Sequence, residues 1–232
     1  MVNLSLMLAP LIVFDLDGTL VDSRLDLAES ANELLSAYGA PPLAVDAIVA
    51  MVGDGAAKLV ERALRAAEIQ PPLGEALDRF LVIYERRLLN HTTIYPGIEA
   101  ALASLAPGVR MAVLTNKPAH HTSRLLDALN LSQWFAAGVV GGDTPVGRKP
   151  DPAGLLALIH AGGAGADATL MVGDSKVDIE TAVRAGTAFC LARYGFGGAE
   201  ITDVPAETRA FVAYDSGELI DRVRAFLAAI AG

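Results

Sequence analysis

The sequence predicts an α/β protein whose core is a doubly wound, Rossmann-like parallel sheet, with a helical cap domain inserted after the first strand. Short apolar runs recur along the chain, and segments with apolar residues three and four apart separate them. Such runs are typical of strands buried on both faces, and their alternation with helices is typical of parallel sheets. A long stretch with helical spacing alone follows the first run and predicts the inserted domain.

Six apolar runs are predicted as strands of the core sheet. They cover residues 11–14, 111–114, 139–140, 170–172, 187–191 and 211–213, the last at an edge of the sheet. Four segments with helical spacing are predicted as core helices, at residues 97–105, 120–129, 153–161 and 179–185. Since strands and helices alternate, the connections are expected to cross over the sheet and keep the strands parallel.

Residues 22 to 93 interrupt this alternation. Helical spacing predicts four helices there, at residues 26–38, 45–51, 56–68 and 73–89, with no strand between them. Proline pairs at 41–42 and 71–72 separate helices, because proline cannot continue one. We therefore predict an α/β core formed by residues 1–21 and 94–232, and a helical cap formed by residues 22–93.

The composition excludes several classes of protein. The chain has 232 residues, 53% of them hydrophobic, which is ample for a buried core and excludes intrinsic disorder. Lys and Arg number 18 against 27 Asp and Glu, a net charge of -9. This balance argues against binding to nucleic acid or to an anionic membrane, because both need clustered cations.

The chain is expected to be cytoplasmic. Its one cysteine, Cys190, cannot form an internal disulfide and is typical of a reducing compartment. The apolar start lacks the basic residues of a signal peptide and is too short to span a membrane.

Polar residues follow several predicted strands at the point where each strand ends. Asp15 and Asp17 follow the first strand, Thr115 and Asn116 follow the second, and Asp174 follows the fourth. Because the carboxyl ends of parallel strands meet at one edge of a sheet, we expect these side chains to converge. Of two carboxylates one residue apart, one can be a metal ligand and the other an acid–base group beside it. Gly18 lets the chain turn so that both carboxylates face one site.

Lys149, before a predicted helix, and Asp178, four residues after Asp174, extend this set. Taken singly, each residue has an ordinary explanation: Asp in strand-ending turns, Thr115 and Asn116 as helix caps, and Lys149 on a solvated surface. Taken together, the carboxylates provide the hard oxygen ligands that Mg²⁺ prefers, and the other groups suit phosphate oxygens. The sequence therefore predicts a Mg²⁺ and phosphate site.

Four motifs resemble those of haloacid-dehalogenase-superfamily phosphatases that carry an α-helical cap. They are Asp15-Leu16-Asp17-Gly18-Thr19, Thr115-Asn116, Lys149-Pro150, and Gly173-Asp174 with Asp178. Their order and spacing cover the whole chain. The resemblance implies a phosphatase that works through an aspartyl-phosphate intermediate. It also implies that dehalogenases of the superfamily lack the second Asp of the first motif, so Asp17 argues against dehalogenation.

The same resemblance implies catalytic roles for five residues. Asp15 is expected to be the nucleophile, and Asp17 the general acid toward the leaving group and then the base for water. Thr115, the Asn116 amide and Lys149 are expected to hold the phosphoryl oxygens.

The resemblance further implies a metal site. Asp15, the backbone carbonyl of Asp17 and Asp174 are expected to bind Mg²⁺. Asp178 is expected either to be a further ligand or to orient one.

The cap sequence resembles that of phosphoglycolate phosphatases, a group within the superfamily. Residues 51–55 and 59–64 carry this resemblance. Gly53 and Gly55 either bring a helix N-terminus over the site, where amides would receive a carboxylate, or form a plain turn with Asp54 as helix cap. Lys58 either contacts substrate or is solvated or paired with Glu61, and Arg24 either contacts substrate or belongs to a hinge.

The resemblance favours 2-phosphoglycolate as substrate and leaves alternatives open. Another small phosphomonoester, such as an amino-sugar phosphate or a nucleotide, or pyrophosphate, would suit the same core motifs. A phosphomutase is disfavoured, because Ala56 stands where related mutases carry an Arg. A non-catalytic phosphate-binding regulator would lack Asp15 or Asp17, and both are present. The expected partner is a small phosphorylated metabolite, and the expected assembly a monomer or homodimer.

Overall fold

A computed structural model describes residues 9–206 and 208–231 of the chain. Residues 1–8 of the predicted core segment, with residues 207 and 232, lie outside the described ranges. Six parallel strands form one sheet in the order β5-β4-β1-β6-β7-β8. They are β1 Leu11–Phe14, β4 Arg110–Leu114, β5 Val139–Val140, β6 Thr169–Gly173, β7 Ala188–Ala192 and β8 Ala210–Ala213. The predicted fold class is confirmed, including the last strand at an edge.

The central strand is β1, whose side chains are all fully buried. Its last residue, Phe14, lies opposite Val113 of β4 and Val172 of β6. The three strands therefore end at nearly the same level, and the residues that follow them lie side by side at one edge of the sheet.

Helices cover both faces of the sheet. They are α5 Ile98–Leu105, α6 Ala119–Ala128, α7 Ala153–Gly162, α8 Lys176–Ala185 and α9 Leu219–Ala231. Alternate residues of β1 belong to different apolar clusters: Ile12 and Phe14 to one, Leu11 and Val13 to the other. This arrangement explains why the strand is uninterruptedly apolar.

The segment between β1 and α5 is helical. Its helices are α1 Arg24–Ala37, α2 Val45–Val49, α3 Ala56–Ala66 and α4 Leu73–Arg87. Within residues 23–92, all of which are described, no strand occurs. Apolar side chains such as Leu34, Leu35 and Phe80 pack between these helices. The boundary of the cap at residues 22 and 93 stays a prediction.

Two short strands join the helical segment to the core. Strands β2 Val21–Asp22 and β3 Thr93–Ile94 pair antiparallel, with Val21 opposite Ile94. Asp26, fully buried on α1, accepts hydrogen bonds from the backbone of His91 and from the backbone and hydroxyl of Thr92. The first turn of α1 is thereby fixed to the chain that returns to the core.

Two further features of the fold were not predicted from the sequence. One is the β2–β3 ribbon, whose strands of two residues are too short to show a pattern. The other is α9, although Leu219, Val223 and Phe226 are buried at helical spacing. In the described part of the chain, no helix is long and apolar enough to cross a membrane.

Candidate active site

Buried polar residues meet where β1, β4 and β6 end. Asp15, Thr115 and Asp174 directly follow these strands and are exposed by only 7%, 3% and 3%. The backbone N–H of Asp15 donates to the carbonyl of Val172, and that of Thr115 to the carbonyl of Val140. The sheet hydrogen bonding thus extends to the polar residues and sets their positions.

Glycine at position 18 is required by the close approach of Asp174. Gly18 has φ +83°, and a Cβ there would lie 2.3 Å from Asp174 Oδ2. An L side chain would meet both an unfavourable backbone conformation and a collision with the carboxylate. The turn after Asp17 therefore brings the first and fourth motifs together.

Lys149 joins two of the carboxylates. Its Nζ lies 2.7 Å from Asp15 Oδ1 and 2.6 Å from Asp178 Oδ1. Burial alone would lower the pKa of Lys149, but Asp15 and Asp178 outweigh it and raise the pKa. The side chain therefore remains a cation at the floor of the site.

Three buried carboxylates form an acidic cluster: Asp15, Asp174 and Asp178 each offer an oxygen within 4.8 Å of the others. Burial raises the pKa of Asp15 to about 6, although Lys149 partly offsets it. Burial, together with the charges of Asp178 and Asp15, raises the pKa of Asp174 well above its usual value. A divalent cation would relieve this repulsion, and hard carboxylate oxygens are suitable donors, so the residues fit a metal site.

Asp178 uses both of its oxygens within the protein. It lies in the first turn of α8, where Ser175 and Asp178 form a reciprocal capping box. Its Oδ2 accepts hydrogen bonds from the backbone N–H and the hydroxyl of Ser175, at 3.0 and 2.6 Å, while Oδ1 contacts Lys149. This cap also explains why α8 begins at Lys176, three residues earlier than predicted.

Asp17 is held by groups that the sequence analysis did not connect with it. Lys117 Nζ lies 3.0 Å from each carboxylate oxygen, and the Ser23 hydroxyl donates to Oδ1 at 2.5 Å. Lys117 Nζ also donates to the hydroxyl of Tyr84 at 2.6 Å. Because Tyr84 belongs to α4, this chain of contacts links the helical segment to Asp17.

Lys117 and Tyr84 carried different signals in the sequence. Lys117 directly follows Thr115 and Asn116 at a strand end, and this position indicates that its side chain belongs to the site. Tyr84 had no such signal, because it is 33 residues from Lys117 and only the fold brings them together.

Thr115 and Asn116 also line the site. The Thr115 hydroxyl accepts a hydrogen bond from the backbone N–H of Lys117 at 3.2 Å. Asn116 Nδ2 donates to the carbonyls of Gly53 and Lys149, both at 3.0 Å. Among the described residues, the buried Oδ1 of Asn116 has no hydrogen-bond partner. Asn116 therefore connects the loop before α3 to the core.

The predicted cap residues separate into two groups. Gly53 and Gly55 line the cavity above the carboxylates, and Gly55 is the N-cap of α3. Asp54 instead pairs with Arg62, which also donates to the carbonyl of Met51 and so braces the loop.

Lys58 and Arg24 lie outside this cavity in the present arrangement. Lys58 is exposed and pairs with Glu61 at 2.7 Å. Arg24 pairs with Asp22 beside the β2–β3 ribbon.

A cavity between the helical segment and the core contains these groups. Its core side carries carboxylates and amides, and its other side is largely apolar. The lining residues on that other side are Leu27, Val52, Ala56, Leu59, Phe80, Leu81 and Tyr84. Such a cavity can hold a small anionic group against Asp15 while the apolar wall excludes water.

An α/β sheet with a buried lysine, clustered carboxylates and a cavity at its strand ends has the arrangement of a ligand-binding site at the sheet edge, and the carboxylates could hold a metal ion. Residues 12–192 match the family described as haloacid dehalogenase-like hydrolase. The chain belongs to this family and is a hydrolase.

Curated relatives and solved structures agree with this assignment. A phosphoglycolate phosphatase of Rhodospirillum rubrum is 41% identical over 203 residues, covering 84% of each chain. One of Pseudomonas syringae pv. tomato is 41% identical over 194 residues, covering 82% of this chain and 71% of the relative. A crystal structure described as a predicted phosphoglycolate phosphatase from Haemophilus somnus has a TM-score of 0.83 at 30% identity, covering 93% of this chain and 98% of the other. The chain is thus similar to phosphatases along most of its length.

Proposed function

We propose that this hydrolase is a Mg²⁺-dependent phosphatase that acts on 2-phosphoglycolate through an aspartyl phosphate on Asp15. The observation that carries the proposal is the position of Asp15, buried at the end of β1 and 2.7 Å from Lys149. The names of the relatives support the choice of substrate.

In the proposed reaction, an oxygen of Asp15 attacks phosphorus and the substrate alkoxide leaves. A carboxylate approaching a phosphate dianion is repelled, so nearby cations are essential. Lys149 supplies one positive charge beside Asp15, and the Thr115 hydroxyl and the backbone N–H of Asn116 are donors for the phosphoryl oxygens. These groups would stabilise the charge that moves onto the equatorial oxygens.

Asp17 is proposed to give a proton to the leaving oxygen and then to take one from the hydrolytic water. It lines the same cavity as Asp15 and is held from two sides by Lys117 and Ser23. A fixed carboxylate beside the leaving group is what general acid–base catalysis requires.

Mg²⁺ is proposed to bind Asp15, the Asp17 carbonyl and Asp174. When bound, it would screen the negative charges of nucleophile and phosphate and so supply Lewis-acid catalysis. Asp178 is proposed to orient Lys149 and cap α8, because its two oxygens are already engaged.

Magnesium is expected to raise the melting temperature, and the rise is expected to shrink as the pH falls through about 6. Below that pH Asp15 becomes protonated and neutral, since burial raises its pKa to about 6. A ligand at 100 times its Kd stabilises a protein by about 2.7 kcal/mol. Differential scanning fluorimetry with and without MgCl₂ between pH 5 and about 8 measures the effect.

Asp174→Asn is expected to abolish the magnesium-dependent rise. Asn keeps an acceptor for the Gly197 N–H, which donates to Asp174 at 3.1 Å, so the fold is expected to survive. Asp78→Asn, an exposed change on α4, is the matched control. If magnesium raised the melting temperature equally in Asp174→Asn and in wild type, Asp174 would not be a metal ligand.

Gly55→Ala is expected to lower kcat/KM for phosphoglycolate on the order of tenfold. Gly55 has φ 86° and ψ 167°, and a Cβ there would lie 3.0 Å from the carbonyl oxygen of Asn116. The loop relieves this contact by moving away from Asn116, so its closure over the substrate then restores a strain of about 1–3 kcal/mol, and each 1.36 kcal/mol is tenfold in rate. Inhibition by vanadate, which needs only the core, is expected to change little.

Gly39→Ala is the control for this variant. Gly39 also has a positive φ, +75°, but a Cβ there meets nothing within 4 Å. Its kcat/KM is expected to match wild type. Full activity in Gly55→Ala would mean that the loop before α3 does not close over the substrate.

The substrate itself is tested by a kcat/KM profile. Phosphoglycolate, an amino-sugar phosphate, a nucleoside monophosphate and pyrophosphate are compared with and without EDTA. The proposal predicts the highest kcat/KM for phosphoglycolate and loss of all activity with EDTA. A higher kcat/KM for another of these compounds would mean that it, and not phosphoglycolate, is the preferred substrate. Turnover that resists EDTA would contradict the metal site.

A further inference from the structure

The cavity offers a substrate one cationic side chain besides the lysine beneath Asp15. Of the described residues that line it, only Lys117 carries a positive charge. Three cations of the helical segment do not line the cavity: Lys58, Arg62 and Arg24, which pair with Glu61, Asp54 and Asp22. Among the described side chains that line the cavity, Lys117 is therefore the one cation that a second anionic group can contact. Arg148 Nη1 lies 3.6 Å from where a Cβ on Gly55 would stand, but Arg148 is not part of the lining.

Lys117 is buried and fixed in position. Its Nζ contacts Asp17 and donates to the Tyr84 hydroxyl at 2.6 Å, and it lies 4.6 Å from the centre of the Tyr84 ring. The Tyr84 ring is itself held by stacking on Phe80, with centroids 5.8 Å apart. The ammonium thus has few conformations available, which lowers the entropic cost of binding a ligand.

The apolar wall limits what else the substrate can carry. Leu27, Leu59, Phe80 and Leu81 offer no hydrogen-bond donors or acceptors in their side chains. Hydroxyl groups of a sugar or ribose against this wall would lose water without gaining partners, at a cost of about 1–3 kcal/mol each. The wall therefore disfavours sugar phosphates and nucleotides and favours a short substrate.

We propose that Lys117 selects a carboxylate-bearing phosphomonoester by binding the carboxylate, and that Tyr84 positions Lys117. The proposal rests on the proposed function, in which Asp17 faces the leaving oxygen. In phosphoglycolate one methylene carbon separates that oxygen from the carboxylate. Lys117, which contacts Asp17 and lines the cavity, is therefore placed to reach the carboxylate.

Lys117→Met is tested on two substrates that differ only in the group to be recognised. Phosphoglycolate and 2-hydroxyethyl phosphate both have two carbons and an alkoxide leaving group, but only the first has a carboxylate. Because Lys117 also touches Asp17, part of the loss will be common to both substrates. The further loss on phosphoglycolate is expected to be about 10- to 100-fold in kcat/KM, the range for a hydrogen bond to a charged group.

Three further variants separate recognition from general damage. Tyr84→Phe keeps the ring and removes the hydroxyl, and is expected to raise KM for phosphoglycolate several-fold while changing kcat little. Lys117→Arg keeps the charge and is expected to restore part of the preference even if Lys117→Met folds poorly. Lys58→Met is expected to keep the whole preference.

The outcomes distinguish this inference from the proposed function. Equal losses on the two substrates in Lys117→Met, or loss of preference in Lys58→Met instead, would overturn the role of Lys117. A wild-type enzyme that does not prefer phosphoglycolate to 2-hydroxyethyl phosphate would overturn the proposed substrate, and the inference with it.

Discussion

Asp15→Asn is expected to lower kcat by about 10⁴-fold or more, because the amide is a far weaker nucleophile than the carboxylate. Removal of a nucleophile in other enzymes that use covalent catalysis has effects of this order or larger. The amide is nearly isosteric, so the cavity and the contacts of Asp178 with Lys149 and Ser175 are expected to remain. Steady-state hydrolysis of phosphoglycolate measures the loss, with Asp78→Asn as control.

The same variant is expected to be at least as stable as wild type at pH 8 without metal. Burial raises the pKa of Asp15 to about 6, so the folded protein disfavours the ionised carboxylate. Above that pH the charge therefore lowers stability, and the neutral amide removes this penalty. Thermal melts in EDTA at pH 8 compare the two proteins. A large loss of stability together with the loss of activity would mean that Asp15 is structural.

Asp17→Asn is expected to lower kcat by roughly 10²–10⁴-fold on alkyl phosphates, the usual contribution of general acid–base catalysis. Asn keeps an oxygen that accepts from Lys117 and Ser23, which now contact the carboxylate. Para-nitrophenyl phosphate has a leaving group that needs little protonation, so the first step is expected to be much less impaired with it. Equal losses on alkyl and aryl esters would argue that Asp17 acts only through the fold.

The aryl substrate also separates the two steps of the reaction. In Asp17→Asn the first step remains fast with this substrate, whereas the second step lacks its base. Stopped-flow absorbance is therefore expected to show a burst of nitrophenol close to one equivalent per enzyme. The control Asp78→Asn is expected to show no burst beyond that of wild type.

The core of the site was predictable because it depends on strand ends. Asp15, Thr115 and Asp174 each follow an apolar run, and parallel topology alone requires such positions to be neighbours. The sequence also contains the signature of the capping box, because Ser175 and Asp178 stand three residues apart before an apolar run.

The rest of the site depends on packing that no local pattern encodes. Helical spacing places Tyr84 on the buried face of α4, but the contact with Lys117 follows from how that helix lies on the core. Lys58 differs, because its pairing with Glu61 is a contact three residues apart on one helix and was one of the two interpretations of the sequence. The contact of Tyr84 with Lys117 joins two separate elements, and for this reason the sequence did not predict it.

The assignment of Asp15 as nucleophile is tested most directly when the phosphoryl group is trapped on the protein. Asp17→Asn is mixed with para-nitrophenyl phosphate and Mg²⁺, quenched in acid during the burst, and reduced with borohydride, which converts an aspartyl phosphate to homoserine. Mass spectrometry of the peptide that contains residues 11–17 is predicted to find homoserine at position 15 and unmodified Asn at position 17. Homoserine at another aspartate, or a full burst with position 15 unchanged, would contradict the assignment of Asp15 as the nucleophile.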